Sequence, residues 1–277
     1  MPVYPAPFSQ SSLCRALKAY PALLRAYLAR AFVYRAEFIL YTFTSTLPLV
    51  MMFIWMTMAE GGDIQGFRPN DFVAYYLATI LIRRITGAWF IWDLDAMIRQ
   101  GEISPYLLRP MNTMHYYVAR VLTVKVVQVP ILLVPIGLVA WFMPGQQFDL
   151  APMNLLAFAI ACVFGLLFEF LAQHIIAACA FWISQSVAIN DVWFFIKSFF
   201  GGYLVPLALM PIALQSGLKW LPFWLSIGLP VEILTGRATP ERIWLGYGVG
   251  VFWVAVLWLL NRVIWRAGIK AYSAVGA

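Results

Sequence analysis

Charge is scarce in this sequence. Only 11% of its 277 residues are Asp, Glu, Lys or Arg, where a soluble domain carries about a quarter. That scarcity excludes an ordinary water-soluble globular protein. With 63% hydrophobic residues and a mean hydropathy of +0.81, lipid is the natural solvent. Cysteine is nearly absent too: Cys14, Cys162 and Cys179 are too few and too scattered for a disulfide framework or a thiolate metal site. The only two histidines, His115 and His174, fall in different segments and no His-Glu-x-x-His is present, which disfavours an intramembrane metalloprotease. A Gly-x-x-x-x-Gly-Lys-Ser/Thr loop is also missing, so the chain carries no recognisable nucleotide site and no cofactor of its own. No internal repeat is visible, which disfavours a secondary transporter built from repeated halves.

What is present is an integral membrane pattern, all-α, with six transmembrane helices. The apolar runs place spans at roughly 36–59, 71–92, 121–142, 154–181, 192–210 and 243–260, about the length a 30 Å hydrocarbon core requires. Residues 1–35 stand apart as an N-terminal tail and helix, and 36–277 form one transmembrane domain. Residues 1–10 hold three prolines and no positive charge, unlike a cleavable signal, so the first span is expected to target the chain. From Ser11 to Arg35, Leu13, Leu17, Tyr20, Leu24, Leu28 and Phe32 recur at helical spacing among Arg15, Lys18, Arg25, Arg30 and Arg35. This predicts an amphipathic interfacial helix, kinked or divided at Pro21. A calmodulin-type ligand has the same pattern but does not normally precede a span.

The connection 211–241 is strongly apolar yet cut by Pro211, Gly217, Pro222, Gly228, Pro230 and Gly236. Neither half reaches a full span, so it reads as a re-entrant hairpin on the extracellular side, with two tilted spans as the alternative. Lys and Arg fix the orientation. Twelve fall with the N-terminal segment, the 93–120 region, Lys197 and the C-terminus, against four (Arg68, Lys219, Arg237 and Arg242) on the opposite side. The N- and C-termini are therefore expected in the cytoplasm, in a plasma (inner) membrane. The net charge of +7 sits at the ends of apolar runs rather than in one patch, so no nucleic acid is expected.

Two groups of residues stand out chemically. Arg83, Arg84, Lys125 and Glu169 fall inside predicted spans, where charge is expensive and should be paired or face water. Glu169 with Lys125 or an arginine is the expected ion pair. Gln173 and His174 extend the polar patch, which could line a path or an interface with a partner. A carboxylate–imidazole pair of Glu169 and His174 also leaves open a membrane-embedded enzyme or lipid-modifying factor. Glu232, on the hairpin, would anchor it or gate an exit. The loop 93–117 reads as helix, break at Gly101, then a short helix opened by Ser104-Pro105 and ended by Pro110. Leu107 and Leu108 beside Arg109 and Glu102 suit a docking surface, or equally a turn packed on its own bundle.

The run Ile98-Arg99-Gln100-Gly101-Glu102, followed by Leu107-Leu108-Arg109-Pro110, resembles the cytoplasmic loop of type-2 ABC exporter permeases. The branch is that of uncharacterised ABC transport systems. Phe200-Gly201-Gly202-Tyr203-Leu204-Val205-Pro206-Leu207, Leu221-Pro222-Phe223, Pro230-Val231-Glu232-Ile233-Leu234-Thr235-Gly236 and the ending Tyr272-Ser273-Ala274-Val275-Gly276-Ala277 are similar to that branch in order and spacing. The resemblance implies that the loop holds a coupling helix contacted by a separate ABC ATPase dimer through Ile98, Arg99, Glu102, Tyr106, Leu107, Leu108 and Arg109. It implies ATP and Mg on that partner, and a second permease, the same or different, completing the path. The motion would be alternating access driven by closure of the ATPase dimer.

Overall fold

The computed structural model describes residues 10–33, 47–109, 111–142, 145 and 148–272. Among them the only extended pairing is an isolated bridge between Ile64 and Phe67; the rest is helix and connection. The helices are α1 (Gln10–Val33), α2 (Leu47–Ala59), α3 (Pro69–Thr86), α4 (Ile91–Arg99), α5 (Ser104–Leu107), α6 (Thr113–Phe142), α7 (Pro152–Ala178), α8 (Ser186–Phe200), α9 (Ile212–Leu218), α10 (Gly228–Leu234) and α11 (Pro240–Ala271). Three are long and apolar enough to cross a bilayer: α6, α7 with the 3₁₀ turn that extends it to Phe181, and α11. The predicted first span lies partly outside the described residues, at 36–46; its second half is α2.

α7 is the hub, packing against α3, α4, α8, α10 and α11. Lipid gives helices no hydrophobic reason to associate, so close approach through small residues has to supply the packing. Gly250 and Gly268 of α11 do this: a Cβ on them would come within 2.9 Å of Phe164 and 2.1 Å of Phe181. Gly165, midway along α7, lets the 211–241 segment in; its Cβ would lie 2.6 Å from the Leu225 carbonyl oxygen and 2.9 Å from Thr86. Thr86 Oγ1 donates to the Ser226 carbonyl at 2.8 Å. The segment therefore reaches the middle of the bundle, with Trp224, Leu225, Ile227 and Leu229 fully enclosed, before α10 leads back out.

α1 is one continuous helix through Pro21, so the proline does not divide it. Pro21 lies on its exposed side, while Ala19, Tyr20, Leu23, Leu24, Tyr27 and Leu28 form the half-buried stripe that packs on α6. Two predicted spans are shorter than expected. α3 stops at Thr86 because Gly87 turns extended, and the Trp89 indole folds back over it, leaving no room for a Cβ. α8 begins earlier than 192 and ends at Phe200; its 15 residues span about 22 Å, less than the hydrocarbon core. The sequence Phe200-Gly201-Gly202 terminates it. Gly202 sits at φ +86°, where a Cβ is disfavoured, and Tyr75 donates to its carbonyl at 2.6 Å.

The contacts define two ends. At one, Arg237 binds Asp71 at 2.9 Å and the Gly66 carbonyl, and Asp149 N–H donates to the Leu234 carbonyl. At the other, Tyr272 bonds Ser104 and the Gly101 carbonyl, and Tyr20 meets His115 at 3.3 Å. The four basic residues counted on one side thus group with the hairpin, and the loop 93–117 groups with α1 and the end of α11.

Replacing Gly165 by Ala forces α7 away from a backbone carbonyl rather than a flexible side chain. The expected cost is about 1–3 kcal/mol, read as a lower melting midpoint in detergent; an unchanged midpoint contradicts the packing.

Candidate functional site

The intramembrane charges predicted from sequence come together, with an unexpected partner at the centre. Glu169 of α7, 2% exposed, is bound not by Lys125 or an arginine but by Lys197 of α8, whose Nζ donates to Oε2 at 2.8 Å. Lys197 therefore cannot count as a loop charge in the orientation argument, leaving eleven basic residues against four. Lys125 instead donates to the Arg84 carbonyl at 3.1 Å and to the Gly87 carbonyl, satisfying the acceptors freed where α3 ends. Arg83 donates to the Tyr203 hydroxyl and lies over three rings, Tyr203 (4.7 Å), Trp89 (5.2 Å) and Phe194 (5.4 Å). Such contacts stabilise a desolvated cation by roughly 2 kcal/mol each at best.

Local structure explains the convergence. The Gly201-Gly202 turn that ends α8 carries Tyr203 back toward α3, where Tyr76 pins Leu204 through its carbonyl at 2.7 Å. Gly87 lets Trp89 fold against Arg83. On α8, Ser186, Asn190, Phe194 and Lys197 recur at spacings of four, four and three, one helical face, while Ile189, Val192, Phe195 and Phe199 are exposed. The helix has its polar side inward, as a helix in lipid does. Arg83, Glu169, Lys197, Ser198, Trp89 and Phe194 line a narrow pocket.

Gln173 and His174 are enclosed within the chain rather than turned toward a partner. Gln173 donates to Asn190 at 2.6 Å, and His174 Nδ1 meets the Asn261 amide at 2.8 Å, its ring packed on Trp265. Glu169 and His174 are five residues apart, about 140° around α7, and have separate partners. The proposed enzymatic pair is not assembled. Glu232 forms a two-toothed bridge with Arg242 (2.6 and 2.9 Å), tying α10 to the start of α11.

The loop residues divide into anchors and presenters. Ile98, named as a contact from sequence, is 3% exposed and packs in the core with Ile103 and Leu94; it holds the loop instead of meeting a partner. Arg99 donates to Asp95 at 2.8 Å, and Asp95 also accepts from Ser186, fastening α4 to α8. Leu107 is half-buried against the same core. Leu108 is 80% exposed. Arg109 stacks over Tyr106 (4.7 Å), whose ring meets Tyr116 edge-on, and Glu102 is exposed. A cavity of ≈ 300 Å³ lies between this loop and α1, lined by Tyr27, Arg30, Asp93, Glu102, Tyr106 and Arg120, with Asp93 and Arg120 paired at 2.5 Å. Burial holds the Tyr27 phenol above its usual pKa range.

Sequence reading missed Lys197, Trp89, Phe194 and Tyr203. The inward spacing of Asn190, Phe194 and Lys197 was there to be read; the contribution of Trp89 and Tyr203 depends on turns whose direction no periodicity gives.

A helical bundle with three helices long and apolar enough to cross a bilayer, an enclosed charged centre and a structured loop at one end is the architecture of a membrane protein. The chain belongs to the ABC-2 family of transporter proteins, whose family model matches residues 40–276. Comparison with curated proteins finds no match. Members of this family act as transport subunits, not as catalysts, and generally work with an ABC ATPase.

Among the described residues, Glu169 is the acid these cations meet: Lys197 is bonded to it, and Arg83 and Lys125 lie in its field. Glu169→Gln should therefore destabilise the protein by about 3 kcal/mol, because it leaves those cations buried without an acid. Lys197→Met should cost less, and adding it to Glu169→Gln should recover part of the loss. Equal costs for the two single variants, measured by thermal unfolding in detergent, contradict this.

Proposed function

We propose that this chain is the permease subunit of an ABC exporter, powered by an ATPase dimer that docks on the loop 93–117. In this reading the chain crosses the inner membrane six times, through α2 with the residues before it, α3, α6, α7, α8 and α11. The short α3 and α8 complete their crossings with the irregular residues that follow them, buried in protein as lipid requires. Both termini and the loop are cytoplasmic, α1 lies on the inner surface, and the 211–241 segment is a re-entrant hairpin from outside. Residues 36–277 act as one transmembrane domain, ATP and Mg²⁺ belong to the partner, and a second permease completes the path.

The observation that carries this reading is Leu108. It is a large apolar side chain 80% exposed, between Arg109 and a short helix, on a loop held in place by the buried Ile98 and Ile103 and by the bonds of Tyr272 to Ser104 and Gly101. The turn that carries it is fixed and its own surface is unmet, which fits a docking contact for a soluble partner. Only Gly87, Ala88, Trp89 and Phe90 separate α4 from the end of α3, and Phe90 packs on Phe170 and Tyr117. A push on the loop would therefore reach Trp89 and Arg83 directly, without passing through a flexible linker.

Leu108→Asp should weaken co-purification of the ATPase by about thirtyfold, roughly 2 kcal/mol, and abolish stimulated ATP hydrolysis while leaving the melting midpoint unchanged. Leu107→Asp should lower the midpoint as well, because Leu107 is half-buried. Co-purification that survives Leu108→Asp at full yield overturns the docking assignment.

A further inference from the structure

Among the described residues, the pocket at Glu169 is lined by one acid and two cations, Lys197 and Arg83. Lys197 is bonded to its carboxylate, Lys125 is satisfied by two backbone carbonyls, and Arg83 is held by a neutral phenol and three ring faces. Cations kept within a membrane protein at such cost are commonly part of a path or a binding site. Two residues that line this pocket each carry an enclosed polar atom with no hydrogen-bond partner, Glu169 Oε1 and Ser198 Oγ. Such atoms each cost about 1–3 kcal/mol when left unmet. The pocket therefore offers positive charge, one unused acceptor for a donor, and one hydroxyl free to donate.

Its size and rim narrow the ligand further. The free interior space is ≈ 10 Å³, about one water-sized group, so an oxygen enters but a whole headgroup does not. The rim is aromatic and open: Trp89, 37% exposed, stacks on Trp92 with ring centroids 6.1 Å apart and planes within 6°. Paired indoles at the exposed edge of a membrane protein suit the headgroup level, where an apolar body and a polar head meet. Glu169 lies nine residues, roughly 14 Å, from the end of α7 nearest the loop, and Ile227 of the 211–241 segment also lines the pocket.

The geometry points to a site for the phosphate oxygen of an amphipathic phosphate ester. The one oxygen that enters is a protonated one, accepting from Ser198 Oγ and donating to Glu169 Oε1; the anionic oxygens stay at the mouth in the field of Arg83, and the apolar body lies along Trp89 and Trp92. Naming this ligand as cargo rests on the transport reading; its binding does not.

The test uses the full-length chain purified in non-ionic detergent, without ATPase, titrated with dihexanoyl phosphatidic acid, dihexanoyl phosphatidylcholine and inorganic phosphate. The expected result is saturable binding of phosphatidic acid, with the other two at least tenfold weaker. Arg83→Gln should weaken phosphatidic acid at least tenfold, and Arg83→Lys less. Trp89→Ala should also weaken it; because Trp89 packs on Arg83, Trp92→Ala, at a side chain 46% exposed, carries the same expectation with folding spared. Equal binding of phosphatidylcholine overturns the proposal, as does full affinity in both Arg83→Gln and Trp89→Ala. Inorganic phosphate binding as tightly as the lipid overturns the amphipathic part. Lipid binding retained without ATPase co-purification counts against the transport reading alone, and the reverse result counts against this site alone.

Discussion

The ion pair between Glu169 and Lys197 is the contact on which the rest of the bundle depends. It joins α7 to α8 where apolar packing alone would give little association in lipid, and its Glu169 carboxylate acts on Arg83 and Lys125 as well. Arg83 is then cradled by Trp89, Phe194 and Tyr203, and Lys125 closes the open end of α3. Each of these depends on a local device: Gly87 admits the indole, and Gly202 at φ +86° turns the chain so that Tyr203 points back. The backbone irregularities lie where the charge is, and the straight helices lie elsewhere.

That arrangement links the centre to the loop end. α4 follows Trp89 and Phe90 without a spacer and is fastened to α8 through Asp95 and Ser186. α8 carries Lys197. A displacement of the loop is therefore felt on both sides of the Glu169 carboxylate, from α3 through Arg83 and from α8 through Lys197. At the opposite end the Glu232–Arg242 and Asp71–Arg237 bridges tie the 211–241 segment and α11 to α3. The two ends thus share the bundle but use separate charges.

Much of this was legible in the sequence. The membrane class, the long apolar helices α6, α7 and α11 and the amphipathic stripe of α1 follow from composition and periodicity. The family follows from ordered motifs. The pairing of Glu169 did not, because Lys197 lies near the C-terminal end of a helix that stops early; with α8 extended to 210, its position read as a loop charge. Ile98 was misread as a contact because a loop that looks solvated is here folded onto α7, burying the helix face that carries it. Gln173 and His174 were recognised as polar but not as internal, since spacing on one helix does not say which neighbour supplies Asn190 or Asn261.

The account stands on a bundle with a cytoplasmic loop end and an outer hairpin end, and side-specific labelling tests that directly. With Cys14, Cys162 and Cys179 replaced, single cysteines at the exposed positions Asp63 and Glu102 would be treated in intact cells with a membrane-impermeant maleimide. The account predicts labelling of Asp63→Cys from outside, and of Glu102→Cys only after the membrane is opened. Labelling of Glu102→Cys in intact cells with Asp63→Cys protected would contradict it.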